Sequence, residues 1–477
     1  MSSSELDFSQ GTLILRGWVE KAITAVFGRN VWQWDDRIDA WRCHAFHYTR
    51  VRDALDRRSV GDTIDRVAQF RPVMLGQVSL PVLRLEQQAA IDAWFASTDQ
   101  DQVSLAIACH GGVIVMPTGT GKTEVALSII ERLRCTVLIV APIRDLMYQW
   151  QRRILRGLGN DAGIIGDSIF NVKPISVTTY DSACIHMPTL GNHFQLIVFD
   201  ECHHLPSPMR QDAARMSIAR YRLGLTATPE RTDGRHRDLN RLIGPVVYRL
   251  DIDQVRGKSL AEYQIVRIAV CLNPREQTLY DQLAKQISSY VYECRKEDAA
   301  FTWSQLCADS ANDPAARQAM SAYRQKQSIE DHAEEKNRVL EDLFRLHAGQ
   351  PIIVFAGSNS MARAVSRRFL VPCLLSHCGK KERLDYLEGL RDGIYPVVVA
   401  NRVLDEGVDL PNVKIAIVIG GMASTKQAKQ RLGRILRRSG NQEATLYEVV
   451  CKDTNETLRS RKRRASDAYS RTRHRRI

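Results

Sequence analysis

The sequence predicts an α/β protein: two tandem parallel-sheet lobes, a small N-terminal domain and a helical insertion. Three observations carry this. Short apolar runs rich in Val and Ile recur between helix-like segments, in two series separated by a gap. The first series is Val113–Met116, Thr136–Ala141, Ile175–Thr179, Leu196–Phe199 and Leu223–Thr226; the second is Ile352–Ala356, Cys373–Ser376, Pro396–Ala400, Ile415–Gly420 and Thr445–Val450. Runs this short and without alternation are what strands buried on both faces look like, so each series reads as a parallel sheet covered by helices. The stretch 273–347 is polar, charged and nearly free of Gly and Pro, and reads as a helical insertion. The first 79 residues hold Trp18, Trp32, Trp34 and Trp41, four of the seven Trp, and a strand-like Gly11–Gly17. The expected boundaries are 1–79, 80–258, 259–458 and a basic tail at 459–477.

Length and composition agree. A chain of 477 residues exceeds one compact core. With 44% hydrophobic and 25% charged residues it is an ordinary globular sequence, which excludes a wholly disordered, collagen-like or disulfide-scaffold chain. No stretch approaches the roughly 18–20 apolar residues of a membrane span. The opening MSSSELDFSQ has neither a basic nor an apolar segment of a secretory signal. The expectation is a cytoplasmic protein, or a nuclear one in a eukaryote, with no membrane partner. The 11 Cys form no Cys-x-x-Cys pair and read as reduced thiols. Cys43, His44 and His47 are close in sequence, but no second ligand pair follows, so they read as partly buried residues beside aromatics.

The net charge of +13 suggests an anionic partner, and nucleic acid is the usual one. Much of the excess lies between Arg459 and Ile477, with eight Arg and one Lys against one Asp. That tail reads equally as a phosphate-binding or a solvated segment.

The segment from Val113 to Thr123 (VIVMPTGTGKT) reads as a strand, a glycine-rich turn and the start of a helix. Gly119 and Gly121 let the backbone N–H groups that follow Pro117, through Thr123, close around phosphate oxygens, with Thr118 and Thr120 among them, while the helix N-terminus adds its positive end. Lys122 is suited to the β/γ-phosphates and the Thr123 hydroxyl to Mg²⁺. Met116 stands where the strict form of this loop has its first Gly. A second buried strand, Leu196–Phe199, ends in Asp200 and Glu201. Asp200 is suited to hold Mg²⁺, and Glu201 to orient and deprotonate an attacking water, because γ-phosphate hydrolysis is mainly positioning and charge neutralisation. Both elements in this order point to an ATPase with ATP and Mg²⁺ as cofactors.

Asp200-Glu201-Cys202-His203 is the Asp-Glu-x-His box of superfamily-two helicases, and the chain resembles that superfamily in motif after motif. The resemblance implies two RecA-like lobes. Arg84 and Gln87 match its Arg-x-x-Gln element, where Gln reads adenine. Pro142-Ile143-Arg144-Asp145-Leu146 is similar to the strand-gripping Pro-Thr-Arg-Glu-Leu, with Ile143 in place of Thr, which makes Arg144 a nucleic-acid contact. Thr226-Ala227-Thr228 is similar to motif III, which with His203 couples hydrolysis to lobe movement. Asp405-Glu406-Gly407-Val408-Asp409 resembles motif V, placing Gly407 and Asp409 at the nucleotide. Gln430-Arg431-Leu432-Gly433-Arg434-Ile435-Leu436-Arg437 resembles motif VI and implies catalytic roles for Gln430, Arg434 and Arg437. An arginine fork is always charged and bridges phosphate oxygens.

Within the superfamily the chain looks like the XPB-type DNA helicases over nearly its whole length. Gly163–Asp167 and Thr178–Ala183 are similar to that family's elements, and Arg231-Thr232-Asp233 follows motif III where the family carries an Arg-Glu-Asp strand separator. The resemblance implies Arg231 and Asp233 as nucleic-acid contacts, an N-terminal domain like the family's damage-recognition domain, and an insertion where the family has its thumb. Implied function is an ATP-dependent, 3′→5′ helicase or translocase on single-stranded or forked DNA, nucleoid-associated and acting in genome maintenance or defence. Two alternatives stand beside it: a duplex translocase that does not unwind, and an ATP-switched DNA-binding subunit that recruits a nuclease or a repair or defence partner.

Overall fold

The computed structural model describes residues 4–17, 31–57, 63–99, 110–231, 233–255, 262–375, 377–401, 413–420 and 444–464. The chain divides into two compact units, Met1–Asp251 and Ile252–Ile477.

The first unit opens with a small sheet of β1 (Ser4–Ser9), β2 (Thr12–Arg16), β3 (Gln33–Asp35), β4 (Ala40–His44) and β5 (Thr63–Asp65), in the order β3-β4-β2-β1-β5. The strand expected at Gly11–Gly17 is β2. Its hairpin with β1 turns on Gln10 and Gly11, both at positive φ (50° and 74°), the handedness that suits the twist of paired strands. Leu6, Leu13, Leu15, Trp32, Cys43, Tyr48 and Val51 form the core of this domain, and Ile218 from the following lobe closes it. Trp32 is thus a core residue. Trp34 is 46% exposed and meets Trp41 edge-on at 5.3 Å, while Trp18 lies outside the described residues.

The lobe that follows carries β6 (His110–Val115), β7 (Val137–Ala141), β8 (Gly163–Gly166), β9 (Ile169–Phe170), β10 (Ile175–Thr179), β11 (Leu196–Asp200), β12 (Tyr221–Thr226) and β13 (Val246–Arg249). Their order is β13-β6-β12-β11-β7-β10-β8-β9, and β8–β9 is the antiparallel pair in an otherwise parallel sheet. All five apolar runs of the first series are strands here. β6, β12 and β11 are adjacent and parallel, so the segments leaving their C-terminal ends meet at one edge of the sheet, where ligands bind in such sheets.

In the second unit, β14 (Tyr263–Val270), β15 (Ile352–Ala356), β16 (Cys373–Leu374), β17 (Val397–Ala400), β18 (Ile415–Ile419) and β19 (Ala444–Cys451) form a parallel sheet in the order β14-β19-β18-β15-β17-β16. The five expected runs are again strands, though of Cys373–Ser376 only the first two residues pair. β14 is the addition: an edge strand whose polar Gln264 and Arg267 break the apolar run by which the others are found. The insertion is four helices, Pro274–Glu297, Trp303–Asp309, Pro314–His332 and Glu334–Leu346. Asn273 starts the first with a reciprocal bond to Glu276, and Pro274 takes the first turn, where no N–H is needed. The last described helix, Asn455–Arg464, runs across the position at which the basic tail was expected to begin.

Candidate functional site

The glycine-rich loop leaves β6 and enters the helix Lys122–Leu133. Gly119 and Gly121 both have left-handed backbones, with φ of 87° and 85°, a conformation that glycine adopts without steric cost. A Cβ at Gly121 would also lie 2.2 Å from Gln87 Nε2 and 2.9 Å from Glu124 Oε2. Thr120 is buried, and its hydroxyl donates to the Pro117 carbonyl at 2.7 Å, so its side chain ties the loop to itself. Gln87 and Arg84 bind the loop from outside. Gln87 Oε1 accepts from the Arg84 N–H at 2.8 Å, its Nε2 donates to the Thr120 carbonyl at 3.0 Å, and the Arg84 guanidinium reaches that carbonyl too. Gln87, expected from its motif at adenine, is here bonded to the loop itself.

Lys122 begins the helix, and its Nζ donates to the Met116 carbonyl at 3.2 Å and lies 3.7 Å from Glu201 Oε1. Glu201 has φ 47° and ψ 54°, a left-handed conformation at a residue other than Gly. Such strain costs about 1–3 kcal/mol and persists where the surroundings enforce it, typically at functional sites. Here it turns the carboxylate back toward Lys122. The Glu201 carboxylate also lies 3.4 Å from His203 Nδ1 and from Thr226 Oγ1. His203 Nδ1 and Thr226 Oγ1 are 3.0 Å apart, and the Thr226 hydroxyl accepts from the Thr228 N–H at 3.2 Å. The box at the end of β11 and the Thr-Ala-Thr segment after β12 thus form one hydrogen-bonded group.

Asp200 is buried at the tip of β11 and accepts from the Trp150 indole at 2.9 Å and from the Glu201 N–H at 3.0 Å. Burial, with the Glu201 charge beside it, pushes its carboxyl above the ordinary carboxylate range. Two adjacent carboxylates facing one ammonium favour a further cation. Together with the left-handed glycines of the loop, that donor set fits a nucleotide and a divalent ion: Asp200 and the Thr123 hydroxyl for the metal, the loop N–H groups and Lys122 for the phosphates.

The expected nucleic-acid residues are already partnered. Arg144 starts the helix Arg144–Leu158 and donates to Asp167 at 2.6 Å, as Tyr148 does at 2.8 Å. Arg231 donates to Asp233 at 2.9 and 2.6 Å and to the His203 carbonyl at 2.7 Å. That pairing holds the Asp233 carboxyl well below its usual range. The Arg231 element is thereby tied to the Asp-Glu-x-His box. Thr232, Gly407, Asp409, Gln430, Arg434 and Arg437 lie outside the described residues.

Sequence reasoning passed over Trp150. It sits two turns into the helix that Arg144 opens, is almost fully buried, and links that helix to Asp200. Tyr180, whose hydroxyl donates to the Asp200 carbonyl at 3.0 Å, fixes the same strand end. A buried indole or phenol on a helix reads as core. Only the paired donor distinguishes it.

Comparison with known proteins agrees with this geometry. Residues 80–231 match the model of the type III restriction enzyme res subunit, residues 335–439 the helicase conserved C-terminal domain, and residues 6–67 the xeroderma pigmentosum group B helicase damage recognition domain. A DNA 3′-5′ translocase XPB2 of Sulfurisphaera tokodaii is 38% identical over 433 residues, covering 91% of this chain and 95% of that one. A DNA 3′-5′ helicase XPB of Kineococcus radiotolerans is 28% identical across 72% of this chain and 58% of its own length. A Rad25 protein of Halobacterium salinarum is 28% identical across 76% of this chain and 55% of its own length. With the phosphate loop, the carboxylate pair and its threonine-histidine group arranged as described, and with these three matches in order along it, the chain belongs to the XPB-type superfamily-two DNA helicases, a class of nucleoside-triphosphate hydrolases.

Proposed function

We propose that the chain is an ATP-driven motor that moves 3′→5′ along a DNA strand. The observation that carries this is the Glu201 carboxylate, held by a left-handed backbone 3.7 Å from Lys122 and 3.4 Å from Thr226. It is a general base built into a contact that reaches the next strand. Bound Mg²⁺ supplies charge neutralisation at the β/γ-phosphate oxygens. The loop N–H groups and Lys122 bind those oxygens, Asp200 and Thr123 hold the ion, and Glu201 orients water and takes its proton. Thr226 and His203 share the Glu201 carboxylate, so a change in its charge alters the hydrogen bonding at the end of β12. Arg434, Arg437 and Gln430 are assigned to the γ-phosphate, and Gly407 and Asp409 to the nucleotide, on their motifs. The 3′→5′ direction rests on the names of the relatives.

A second reading, a duplex translocase that does not unwind, is favoured by one feature. Arg231 and Asp233, where the family has its strand separator, bind each other and the His203 carbonyl, with Thr232 in place of Glu between them. No helix among the described residues is long and apolar enough to cross a membrane. We assign the motor to the compartment that holds the DNA, with a nuclease, repair or defence protein as its partner.

The test is steady-state ATP hydrolysis without nucleic acid and with single-stranded DNA, forked DNA, duplex DNA and RNA, with Lys122→Ala as blank. Stimulation by single strands or forks is the expected result. Stimulation by duplex alone would select the second reading, and equal turnover in every tube would remove both.

A further inference from the structure

A cavity away from the nucleotide loop lies at the seam between the N-terminal domain and the lobe that follows it. Its volume is about 310 Å³, and His44, Phe46, His47, Arg215, Arg241 and Leu242 line it. That size is at the lower end of small-ligand pockets, about 300–1,000 Å³, and suits a single nucleotide unit rather than a longer stretch. The local structure explains who lines it. Successive side chains of a strand point to opposite faces. At the end of β4, Cys43 accordingly enters the domain core while His44 turns outward. The short turn that follows carries Phe46 and His47, with ring centroids 3.9 Å apart. The opposite wall comes from the helical turns Asp212–Arg215 and Asp238–Leu242. Leu242 is buried, Phe46 and His47 are half-buried, and Arg241 and part of His44 are open to solvent.

The chemistry of the lining points to an anion carrying an aromatic group. Neither Arg215 nor Arg241 makes an ion pair or hydrogen bond of its side chain among the described residues. Both His side chains sit in a positive field. Burial first, then Arg215 and Arg241, lower the pKa of His44, against one opposing carboxylate, Asp212. Burial and then Arg50, His44 and Arg222 lower that of His47 to about 4. Neutral imidazoles beside guanidinium groups add hydrogen-bonding capacity without competing charge. The His47 Nδ1 is buried and has no hydrogen-bond partner among the described residues. Phe46 supplies the flat apolar surface on which a base stacks.

We infer that this cavity is a nucleotide-binding pocket for the DNA strand, with one phosphate between Arg215 and Arg241 and the attached base against Phe46 and His47. The inference rests on the DNA-motor reading and extends it. The seam is a suitable place because both walls are already rigidly joined. The Gly11 N–H donates to the Pro188 carbonyl at 3.2 Å, the Gln69 N–H to the Asn192 carbonyl at 3.0 Å, and the Asn192 amide to the Val67 carbonyl at 2.8 Å. A strand held there is anchored to the N-terminal domain and to the lobe of the phosphate loop at once.

The test uses the full chain and fluorescein-labelled single-stranded and forked DNA, with affinity measured across a salt series. Arg215→Gln with Arg241→Gln should weaken binding and flatten the slope of log affinity against log salt by about 0.7–0.9 for the phosphate lost. Phe46→Leu keeps an apolar side chain and removes stacking, and should weaken binding about 5- to 150-fold with the slope unchanged. Hydrolysis without DNA should stay at the wild-type rate in both variants, which also shows that they fold. An unaltered affinity and slope in both variants, with wild-type binding intact, would overturn the pocket and leave the motor reading standing. Wild-type protein that binds no DNA would overturn the motor reading, and the pocket with it. Should either variant fail to fold, ultraviolet crosslinking of wild-type protein to DNA carrying 5-iododeoxyuridine decides instead. Crosslinks at Phe46, His44 or His47 support the pocket, and crosslinks confined to other peptides overturn it.

Discussion

Lys122, Asp200 and Glu201 meet at one edge of the first unit's sheet, whereas Glu330, Lys336, Glu456 and Arg459 lie side by side in the interior of the second unit. Both groups bury charge, and they differ in how it is matched. In the second unit the Lys336 ammonium lies 2.8 and 3.1 Å from the two Glu456 oxygens, with the pair 2% and 0% exposed. The Cys451 N–H donates to Glu456 at 2.8 Å. Glu330 takes the Tyr280 hydroxyl at 2.8 Å on one oxygen and the Arg459 guanidinium on the other, and Tyr280 accepts from the Asn455 N–H at 3.0 Å. Glu330 and Glu456 each have a cation and a hydrogen bond of their own, and the network fastens the last described helix to the insertion, while burial pushes up the carboxyl of the neighbouring Asp331. In the first unit one ammonium, at 3.7 Å, faces two carboxylates, and the Asp200 carboxyl is pushed up. Glu330 and Glu456 are thus neutralised by cations of the fold itself. Charge buried for chemistry is left in excess, to be completed by a cation that arrives with the substrate.

The sharpest way to break this comparison is Glu201→Gln, which should lower turnover by about 10²–10⁴-fold while ATP binding, read with a fluorescent nucleotide, stays. Near wild-type phosphate release would remove the base from the mechanism. Next in size is Glu456→Ala, which leaves Lys336 buried and unpaired and should cost about 3–5 kcal/mol in urea unfolding of the second unit. Lys336→Met combined with Glu456→Leu should recover most of it, and a neutral single variant would mean that the pair is not structural.

Asp200→Asn should act in the opposite direction. Its folded-state pKa is raised above the ordinary 3.8, so the folded chain carries a penalty that is full above the raised value and absent below 3.8. Without nucleotide, the variant should therefore be more stable than wild type by about 1–3 kcal/mol at pH 7. The gain should shrink as the pH is lowered through that window, and thermal midpoints at several pH values check it. Smallest is Trp150→Phe, which removes the neutral donor to Asp200. The net contribution of one hydrogen bond is about 0.5–1.5 kcal/mol, so the Mg²⁺ concentration for half-maximal turnover should shift by about 2- to 13-fold. An unshifted Mg²⁺ requirement would reduce Trp150 to packing.

Much of this was legible along the chain. The buried strands are continuous apolar runs because parallel sheets are covered on both faces, and the phosphate loop is local chemistry carried by adjacent residues. The edge strands β13 and β14 were not legible. Each has one side toward solvent and so lacks the run that marks the others. Nor did Arg459 stand out from its tail, since eight Arg and one Lys look alike until one of them is found on Glu330.

What the sequence by itself determined is the α/β class, the two series of strands, the helical insertion and the order of the nucleotide motifs. All of these depend on neighbours in the chain or on simple periodicity. Tertiary structure alone decided that Trp150 holds Asp200, that Gln87 and Arg84 brace the loop, that Lys336 is neutralised by Glu456, and that His44, Phe46 and His47 face Arg215 and Arg241 across one seam. Each of those pairs is separated by tens of residues or more. A contact at that separation is set by how strands are ordered and helices pack, and leaves no period or spacing in the sequence from which to read it.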